Sequence, residues 1–227
     1  MMTARMKRVV IIGAGGHGRE VAEIFRHQQA SKNDFVLHGF IDDDSSLHGK
    51  IVDGLTVLGD RSWFERSDRD QISVTCAVGG PEARKRLTEW AEGMGLSFVS
   101  AISPLAHVSA IARLGKGVMI FPFAFVSTAT EVGDHAIVHA STFVGHDTSI
   151  GRYAMIAPGA NVAGNVSVGE GCWVGAGSSI IQGKAIGDWS FIGAGAAVTQ
   201  DVPSRVLAVG VPARQIKTIS ERCQNAR

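Results

Sequence analysis

The sequence predicts two folds in one chain: a small parallel α/β domain, then a parallel β-helix built from hexapeptide repeats. Three observations indicate this. A short apolar strand, a glycine-rich turn and a helix open the chain; one aliphatic residue then returns at every sixth position from Val108 to Val198; and Ser103-Pro104 separates the two patterns. With 227 residues, the chain has room for two modest domains.

The hexapeptide column is the strongest pattern. A helix needs apolar residues at three- and four-residue spacing and an alternating strand needs them at two, so a period of six with β-branched residues and glycines predicts short strands joined by turns. The aliphatic side chains then stack into the interior of a prism. The column consists of Val108, Leu114, Ile120, Val126, Val132, Val138, Val144, Ile150, Ile156, Val162, Val168, Val174, Ile180, Ile186, Ile192 and Val198.

The first domain has the pattern of a phosphate-binding α/β unit. A strand over residues 8–12 leads into Gly13, Gly15 and Gly18, which match GxGxxG, and a helix is expected over residues 20–28. A second strand, Phe35–Ile41, ends at three aspartates, Asp42, Asp43 and Asp44, where a Rossmann domain places its ribose-binding acid. Strands over 72–78 and 96–102 and a helix over 82–93 complete a parallel sheet. About a hundred residues is half of the doubly wound dinucleotide fold, so a mononucleotide or nucleotide sugar is favoured over NAD.

Composition and charge exclude several classes of function. The net charge is +1 and no long run of like charge occurs, which gives no support to a nucleic-acid or membrane-surface role. No apolar stretch reaches membrane-spanning length, and no signal-peptide pattern opens the sequence. Three cysteines, Cys76, Cys172 and Cys223, lack metal-type spacing. We therefore expect a cytoplasmic protein without disulfides.

Three motifs and the repeat carry a family resemblance. Residues 11–19 (IIGAGGHGR), 40–43 (FIDD) and 77–79 (AVG), followed by the hexapeptides, resemble the sialic acid O-acetyltransferase family and its nucleotide-4-amino-sugar N-acetyltransferase relatives. The resemblance covers nearly the whole chain. It implies a Rossmann-like nucleotide-sugar-binding domain over 1–103 and a left-handed β-helix acetyltransferase domain of about five triangular coils over 104–212. A capping helix is expected over 213–227.

The resemblance also implies which residues bind the nucleotide sugar and acetyl-CoA. By position, the nucleotide-sugar contacts are Gly15, Gly16, His17, Asp42, Asp43 and Gly79. Acetyl-CoA is the implied cosubstrate, with backbone contacts near Ala176 and Ala194. Met155 stands where some relatives have a second histidine that contacts acetyl-CoA. No residue spacing is typical of a zinc or iron site, so no metal is expected.

Acetyl transfer to an amine or hydroxyl needs a base, and the repeat contains four histidines. His146 is followed directly by Asp147, and a bend at a hexad corner would let the two side chains meet. The resemblance places the catalytic pair here, with Gly164-Asn165 one coil further on. His139 is the second candidate, whereas His107 and His135 are expected to be solvent-facing. An acyl-enzyme through Cys172 is disfavoured, because that cysteine lies in a small inward column.

Three functions of different classes follow. The leading hypothesis is direct transfer of acetyl from acetyl-CoA to the 4-amino group of a UDP- or GDP-linked deoxysugar, for surface-glycan biosynthesis. The second is O-acetylation of sialic acid or a related sugar hydroxyl, and the third is a non-catalytic scaffold. The resemblance implies a homotrimer with active sites between subunits. The sequence contributes a set of phenylalanines that we expect to be exposed, Phe121, Phe123, Phe125 and Phe143.

Overall fold

A computed structural model of the chain describes residues 6–31 and 35–219. Contacts divide the chain into two compact units, with the boundary after Pro104. Neither of the two described α-helices combines the length and hydrophobicity that a membrane span needs.

The first unit contains a four-stranded parallel sheet, with its strands side by side in the order Phe35–Ile41, Lys7–Ile12, Ile72–Cys76 and Ser97–Phe98, and two α-helices. Three short 3₁₀ helices cover Ser45–Leu47, Arg61–Arg66 and Arg69–Gln71. The strands and helices, in chain order, are β1 (Lys7–Ile12), α1 (Gly16–Ser31), β2 (Phe35–Ile41), β3 (Ile51–Val52), β4 (Leu55–Thr56), β5 (Ile72–Cys76), α2 (Pro81–Gly93), β6 (Ser97–Phe98) and β7 (Ala101–Ile102).

The central strands are buried because their sequences are continuous apolar runs, as expected for parallel strands covered on both faces. Residues Val9 to Ile12 are at most 3% exposed, and β5 is buried along its whole length. Helix α1 begins at Gly16, earlier than predicted, so the glycine turn runs directly into its first turn. The strand predicted over 96–102 is two short strands, because its pairing with β5 ends where the Val99 N–H donates to the Val74 carbonyl oxygen.

The second unit is a β-helix of sixteen two-residue strands, which confirms the prediction from the hexapeptide period. The strands are β8 (His107–Val108), β9 (Arg113–Leu114), β10 (Met119–Ile120), β11 (Phe125–Val126), β12 (Glu131–Val132), β13 (Ile137–Val138), β14 (Phe143–Val144), β15 (Ser149–Ile150), β16 (Met155–Ile156), β17 (Asn161–Val162), β18 (Ser167–Val168), β19 (Trp173–Val174), β20 (Ser179–Ile180), β21 (Ala185–Ile186), β22 (Phe191–Ile192) and β23 (Ala197–Val198).

Every third strand pairs in parallel, so residues eighteen apart lie side by side on successive coils. One face carries β8-β11-β14-β17-β20-β23 and a second carries β9-β12-β15-β18-β21. The third includes β10, β13, β16, β19 and β22. The aliphatic column fills the interior: from Ile120 to Val198 its side chains are at most 2% exposed.

The prediction of a C-terminal helix is wrong for residues 214–218. That segment is β25 (Arg214–Thr218), which pairs antiparallel with β24 (Val206–Val209), and β24 pairs in parallel with β22. The open edge of the last coil presents backbone N–H and C=O groups that need partners, and an added hairpin supplies them in a way that a helix cannot. Residues 220–227 of the predicted helix lie outside the described part of the chain.

Candidate active site

His146 and Asp147 form a base and orienter pair at a corner of the β-helix. The His146 Nδ1 lies 2.8 Å from Asp147 Oδ2, and about half of each side chain is exposed. Adjacent residues on a flat strand point to opposite faces, so this contact needs a bend, and Asp147 supplies it with a φ of 55°. With the proton on Nδ1, this ring nitrogen donates a hydrogen bond to the carboxylate, and the Nε2 lone pair is left to take a proton.

The corner that carries the pair is held by backbone and hydroxyl hydrogen bonds from neighbouring coils. The Asp147 N–H donates to the Thr128 carbonyl oxygen at 3.1 Å, and the His146 carbonyl oxygen accepts from the Asn165 N–H at 2.8 Å. Below it, the buried Thr148 hydroxyl donates to the Ala163 carbonyl oxygen at 3.0 Å. A corner braced from both adjacent coils keeps the imidazole in one position, as a general base requires.

Gly164 lies directly under the His146 ring. A Cβ built on Gly164 would stand 2.6 Å from His146 Nε2 and 2.7 Å from its Cε1, so only glycine leaves the ring its place. The Gly164 N–H has no acceptor among the described residues. Gly164 is buried beneath the ring, and within the described part of the chain its N–H is an unpaired backbone donor there.

The other three histidines of the repeat are less suited to act as the base. The Ala140 N–H donates to His139 Nδ1 at 2.8 Å, and the His139 ring stacks on Phe121 with centroids 4.0 Å apart. His107 is exposed and stacks on Phe125, as a wall residue would. The expectation that His135 faces solvent is wrong: it is 1% exposed and stacks on Tyr153.

The predicted nucleotide contacts of the first unit meet at the carboxyl ends of β1, β2 and β5. Gly15 and Gly16 are exposed, with no atom within 4 Å of a Cβ built on either, so a ligand can approach this backbone. His17 is half-buried in the first turn of α1. Asp42 Oδ2 accepts from the Ala14 N–H at 2.8 Å and thereby ties the glycine turn to the end of β2.

Asp43 is exposed beside a small cavity of about 190 Å³ at the same sheet edge. Its Oδ1 accepts from Arg61 Nε at 3.1 Å, and the Arg61 guanidinium lies over the Trp90 ring at 5.6 Å. A cavity of this size takes one moiety of a nucleotide. It is lined by Ile12, Gly13, Ile41, Asp42, Asp43, Arg61, Val78 and Leu87.

Gly79 follows β5 in a loop whose carbonyl oxygens accept hydrogen bonds from a buried side chain of α2. The Arg84 guanidinium, fully buried in α2, donates to the carbonyl oxygens of Val78 and Gly79. Neither Arg61 nor Arg84 was predicted from the sequence. A basic residue four or five positions after the loop glycine was the only available signal for Arg84, and its burial could not be read from the sequence.

The predicted acetyl-CoA contacts on the late coils lie at one corner column. Ala176 and Ala194, eighteen residues apart, are exposed, and their N–H groups have no acceptor among the described residues. In the same column, Ala140 donates to His139 and Pro158 has no N–H, so free donors are found on the later coils. Met155 is 4% exposed, between Ile137 and Trp173 on adjacent strands.

Residues 8–91 match the PglD N-terminal domain family. A mutant of perosamine N-acetyltransferase from Caulobacter crescentus, solved with CoA and GDP-perosamine, has a TM-score of 0.86 at 34% identity, covering 94% of this chain and 98% of that one. The chain belongs to the nucleotide-4-amino-sugar N-acetyltransferase family. This confirms the family resemblance, the fold class and the prediction of an acetyl-CoA-dependent sugar N-acetyltransferase at the level of the family.

Of two further relatives, one shares the architecture of this chain and the other shares similarity with part of its sequence. The acetyltransferase domain of PglB from Neisseria gonorrhoeae FA1090, solved with acetyl coenzyme A, has a TM-score of 0.85 at 29% identity, covering 93% of this chain and all of that one (100%). The UDP-N-acetylbacillosamine N-acetyltransferase of Bacillus subtilis (strain 168) is 34% identical over 127 residues. That match spans 51% of this chain and 51% of the relative, so about half of its length is compared.

Proposed function

We propose that this protein transfers acetyl from acetyl-CoA to the 4-amino group of a UDP- or GDP-linked deoxysugar, for surface-glycan biosynthesis in the cytoplasm. The observation that carries the proposal is the hydrogen bond between His146 Nδ1 and Asp147 Oδ2, which leaves Nε2 as an exposed, oriented base. Family membership supports the same chemistry, because relatives bind CoA together with GDP-perosamine.

The nucleotide part of the substrate fits the sheet edge of the first unit. The open backbone at Gly15 and Gly16, at the start of α1, suits an anionic phosphate group, because helix N-termini present N–H donors and a positive dipole end. Asp42 and Asp43 stand beside it as acceptors for ribose or base donors, and Gly79 closes the edge. A free sugar has no phosphate group for the glycine turn to bind, so a nucleotide-linked acceptor is favoured.

The reaction follows from the position of Nε2. The neutral amine attacks the thioester carbonyl carbon, an N–C bond forms, and Nε2 takes the proton that the amine loses while Asp147 stabilises the imidazolium. A backbone N–H stabilises the oxygen that becomes negatively charged, and the unpaired Gly164 N–H is the candidate donor. The C–S bond then breaks, and the CoA thiolate takes the proton back from His146. Neither a metal nor an acyl-enzyme is required.

Acetyl-CoA is proposed to lie along the late coils, where the Ala176 and Ala194 N–H groups are free to bind pantetheine oxygens. Met155 contributes less surface to such a site, because it is buried within the single chain.

We further propose a homotrimer with active sites between subunits. Phe123, Phe125 and Phe143 support it as exposed apolar surface, whereas Phe121, expected on the same surface, is 3% exposed.

The test is release of free CoA from acetyl-CoA with UDP-, GDP- and dTDP-linked 4-amino sugars and with free or CMP-linked sialic acid. Wild type is compared with His146→Ala and with the control His107→Ala, which removes an exposed histidine of the same unit. Turnover with one amino-sugar nucleotide, lost in His146→Ala and retained in His107→Ala, is the expected result. Turnover only with sialic acid would replace the proposal by O-acetylation, and no turnover with any acceptor would remove the substrate assignment.

A further inference from the structure

Arg84 is the largest fully buried side chain of the first unit, and its guanidinium donates hydrogen bonds to a loop of the proposed nucleotide site. It lies in the first turn of α2 at 0% exposure. Its Nη1 donates to the Val78 carbonyl oxygen at 2.8 Å and to the Gly79 carbonyl oxygen at 2.6 Å. Two consecutive carbonyl groups are therefore held by one rigid, planar donor.

A buried guanidinium is costly, so its presence needs a reason beyond packing. Taking an arginine out of water costs several kcal/mol unless hydrogen bonds compensate, and a methionine or leucine would fill the same space without that cost. Neither the Val78 nor the Gly79 carbonyl oxygen accepts any other hydrogen bond among the described residues. Without Arg84, the two carbonyl groups would be free to turn, and the direction of the 78–79 peptide would no longer be fixed.

The direction of that peptide matters because the loop forms part of the nucleotide-binding edge. Val78 lines the cavity beside Asp42 and Asp43. A Cβ built on Gly13 would stand 3.0 Å from the Ala77 carbonyl oxygen and 3.3 Å from Val78 Cγ2, so the loop abuts the glycine turn. A shift of the loop would therefore change both the cavity wall and the turn proposed to bind phosphate.

We propose that Arg84 is a positioning residue for nucleotide-sugar binding, which acts by holding the Val78–Gly79 loop against the glycine turn. This inference rests on the proposed function, since it deepens the account of the same site. It assigns Arg84 to the nucleotide and not to the acetyl transfer. Its loss should weaken binding of the nucleotide sugar and leave the handling of acetyl-CoA unchanged.

The experiment uses the full-length protein with Arg84→Met, Arg84→Lys and the control Thr88→Val. Thr88 lies one turn further along α2, is also fully buried, and bonds only to helix backbone through the Arg84 and Lys85 carbonyl oxygens. It therefore reports the cost of losing a buried polar contact in this helix without touching the loop. The readouts are KM for the nucleotide sugar, KM for acetyl-CoA, kcat, and Kd for UDP, GDP and dTDP by calorimetry.

Arg84→Met should raise the nucleotide-sugar KM and the nucleoside-diphosphate Kd by about tenfold or more, the effect expected for losing two charge-assisted hydrogen bonds, while KM for acetyl-CoA stays at the wild-type value. Arg84→Lys should fall between, because an ammonium keeps the charge but not the planar fork. If Arg84→Met does not fold, Arg84→Lys alone carries the comparison.

Equal changes in both KM values, or changes no larger than in Thr88→Val, would overturn the positioning role and leave only a structural one. The proposed function is tested separately by the wild type in the same assays. If wild type turns over and the variants match it, only the role of Arg84 falls. If wild type neither binds a nucleoside diphosphate nor turns over, the proposed function fails, and this inference fails with it.

Discussion

The His146 imidazole rests on Gly164, with Nε2 only 2.6 Å from where a Gly164 Cβ would stand. The three nearest contacts of that Cβ are all ring atoms of His146, so Gly164→Ala should displace the ring and leave the backbone intact. We expect kcat to fall by roughly 10- to 100-fold, the cost of a misplaced catalytic group, with an unchanged melting temperature. In a His146→Ala background the same substitution should have no further effect on kcat; a second loss there would show that Gly164 acts without His146.

Asp147→Asn tests the carboxylate while keeping the corner. Asparagine tolerates the left-handed conformation that Asp147 adopts at φ 55°, so the backbone should be preserved. An amide cannot stabilise the imidazolium as a carboxylate does, and kcat should fall by about 100-fold, within the range for general-base catalysis. Steady-state kinetics and circular dichroism measure the two effects. Wild-type kcat in this variant would mean that the base works without its carboxylate partner.

The buried thiols should be inert in the native protein. Burial raises the pKa of Cys76 to about 12 and that of Cys172 to about 11, so at pH 8 only about one Cys172 in a thousand is a thiolate. Iodoacetamide at pH 8 should label neither residue until denaturant is added, as peptide mass spectrometry will show. Cys172→Ala should keep its kcat. Loss of turnover in that variant at normal stability would restore the acyl-enzyme mechanism.

Stability at the corners should depend on backbone conformation and not on side-chain polarity. Ser141 is exposed with a φ of 56°, and the same corner is glycine one, two and three coils later, at Gly159, Gly177 and Gly195. Ser141→Gly should be nearly neutral, whereas Ser141→Val should cost about 1–2 kcal/mol, because a β-branched residue resists the left-handed region. Ser149→Val, on a strand, is the control that should be tolerated. Denaturant unfolding measures all three, and equal losses at both sites would contradict the argument.

The apolar face offers a test of the trimer. Phe125 and Phe143 stack on adjacent coils with centroids 5.5 Å apart and are about 40% exposed (38% and 41%). Light scattering of the wild type should give three times the 23.9 kDa mass of one chain. Phe143→Asp should shift that mass toward the monomer, since a charge in an apolar interface is not solvated. A monomeric wild type would contradict the homotrimer, and a trimeric variant would place the interface elsewhere.

The β-helix could be predicted closely because every hexad has the same residue pattern. An aliphatic residue points inward, a small residue or glycine follows it, and the chain then turns a corner. The same spacing allowed for a contact of His146 with Asp147, since a bend at a hexad corner would let neighbours meet, and the family resemblance placed the catalytic pair there. The expectation of an exposed side chain failed for Phe121, which is 3% exposed, whereas Phe123 is 67% exposed at a corner with a φ of 62°.

Other features depended on tertiary contacts that no local pattern contains. Arg84 is charged and buried, and charged residues are the last that composition would place inside. The segment 214–218 forms a strand because the neighbouring edge of β24 needs partners, while its own side chains are all exposed and give no apolar signal. His135, expected at the surface, is covered although its sequence neighbours are those of an ordinary corner.

The eighteen-residue coil also fixes which changes of length the second unit can absorb. Inserting one whole coil after residue 165 would lengthen the prism by about one strand spacing, 4.8 Å, and keep every column in phase. His146 would stay at its edge, and the Ala176 and Ala194 donors would move away from it along the axis. An insertion of six residues would preserve the interior just as well but rotate everything downstream by a third of a turn, onto another edge. The number of whole coils therefore sets the distance along the axis between His146 and the proposed acetyl-CoA donors. The number of hexads sets the edge of the prism on which those donors lie.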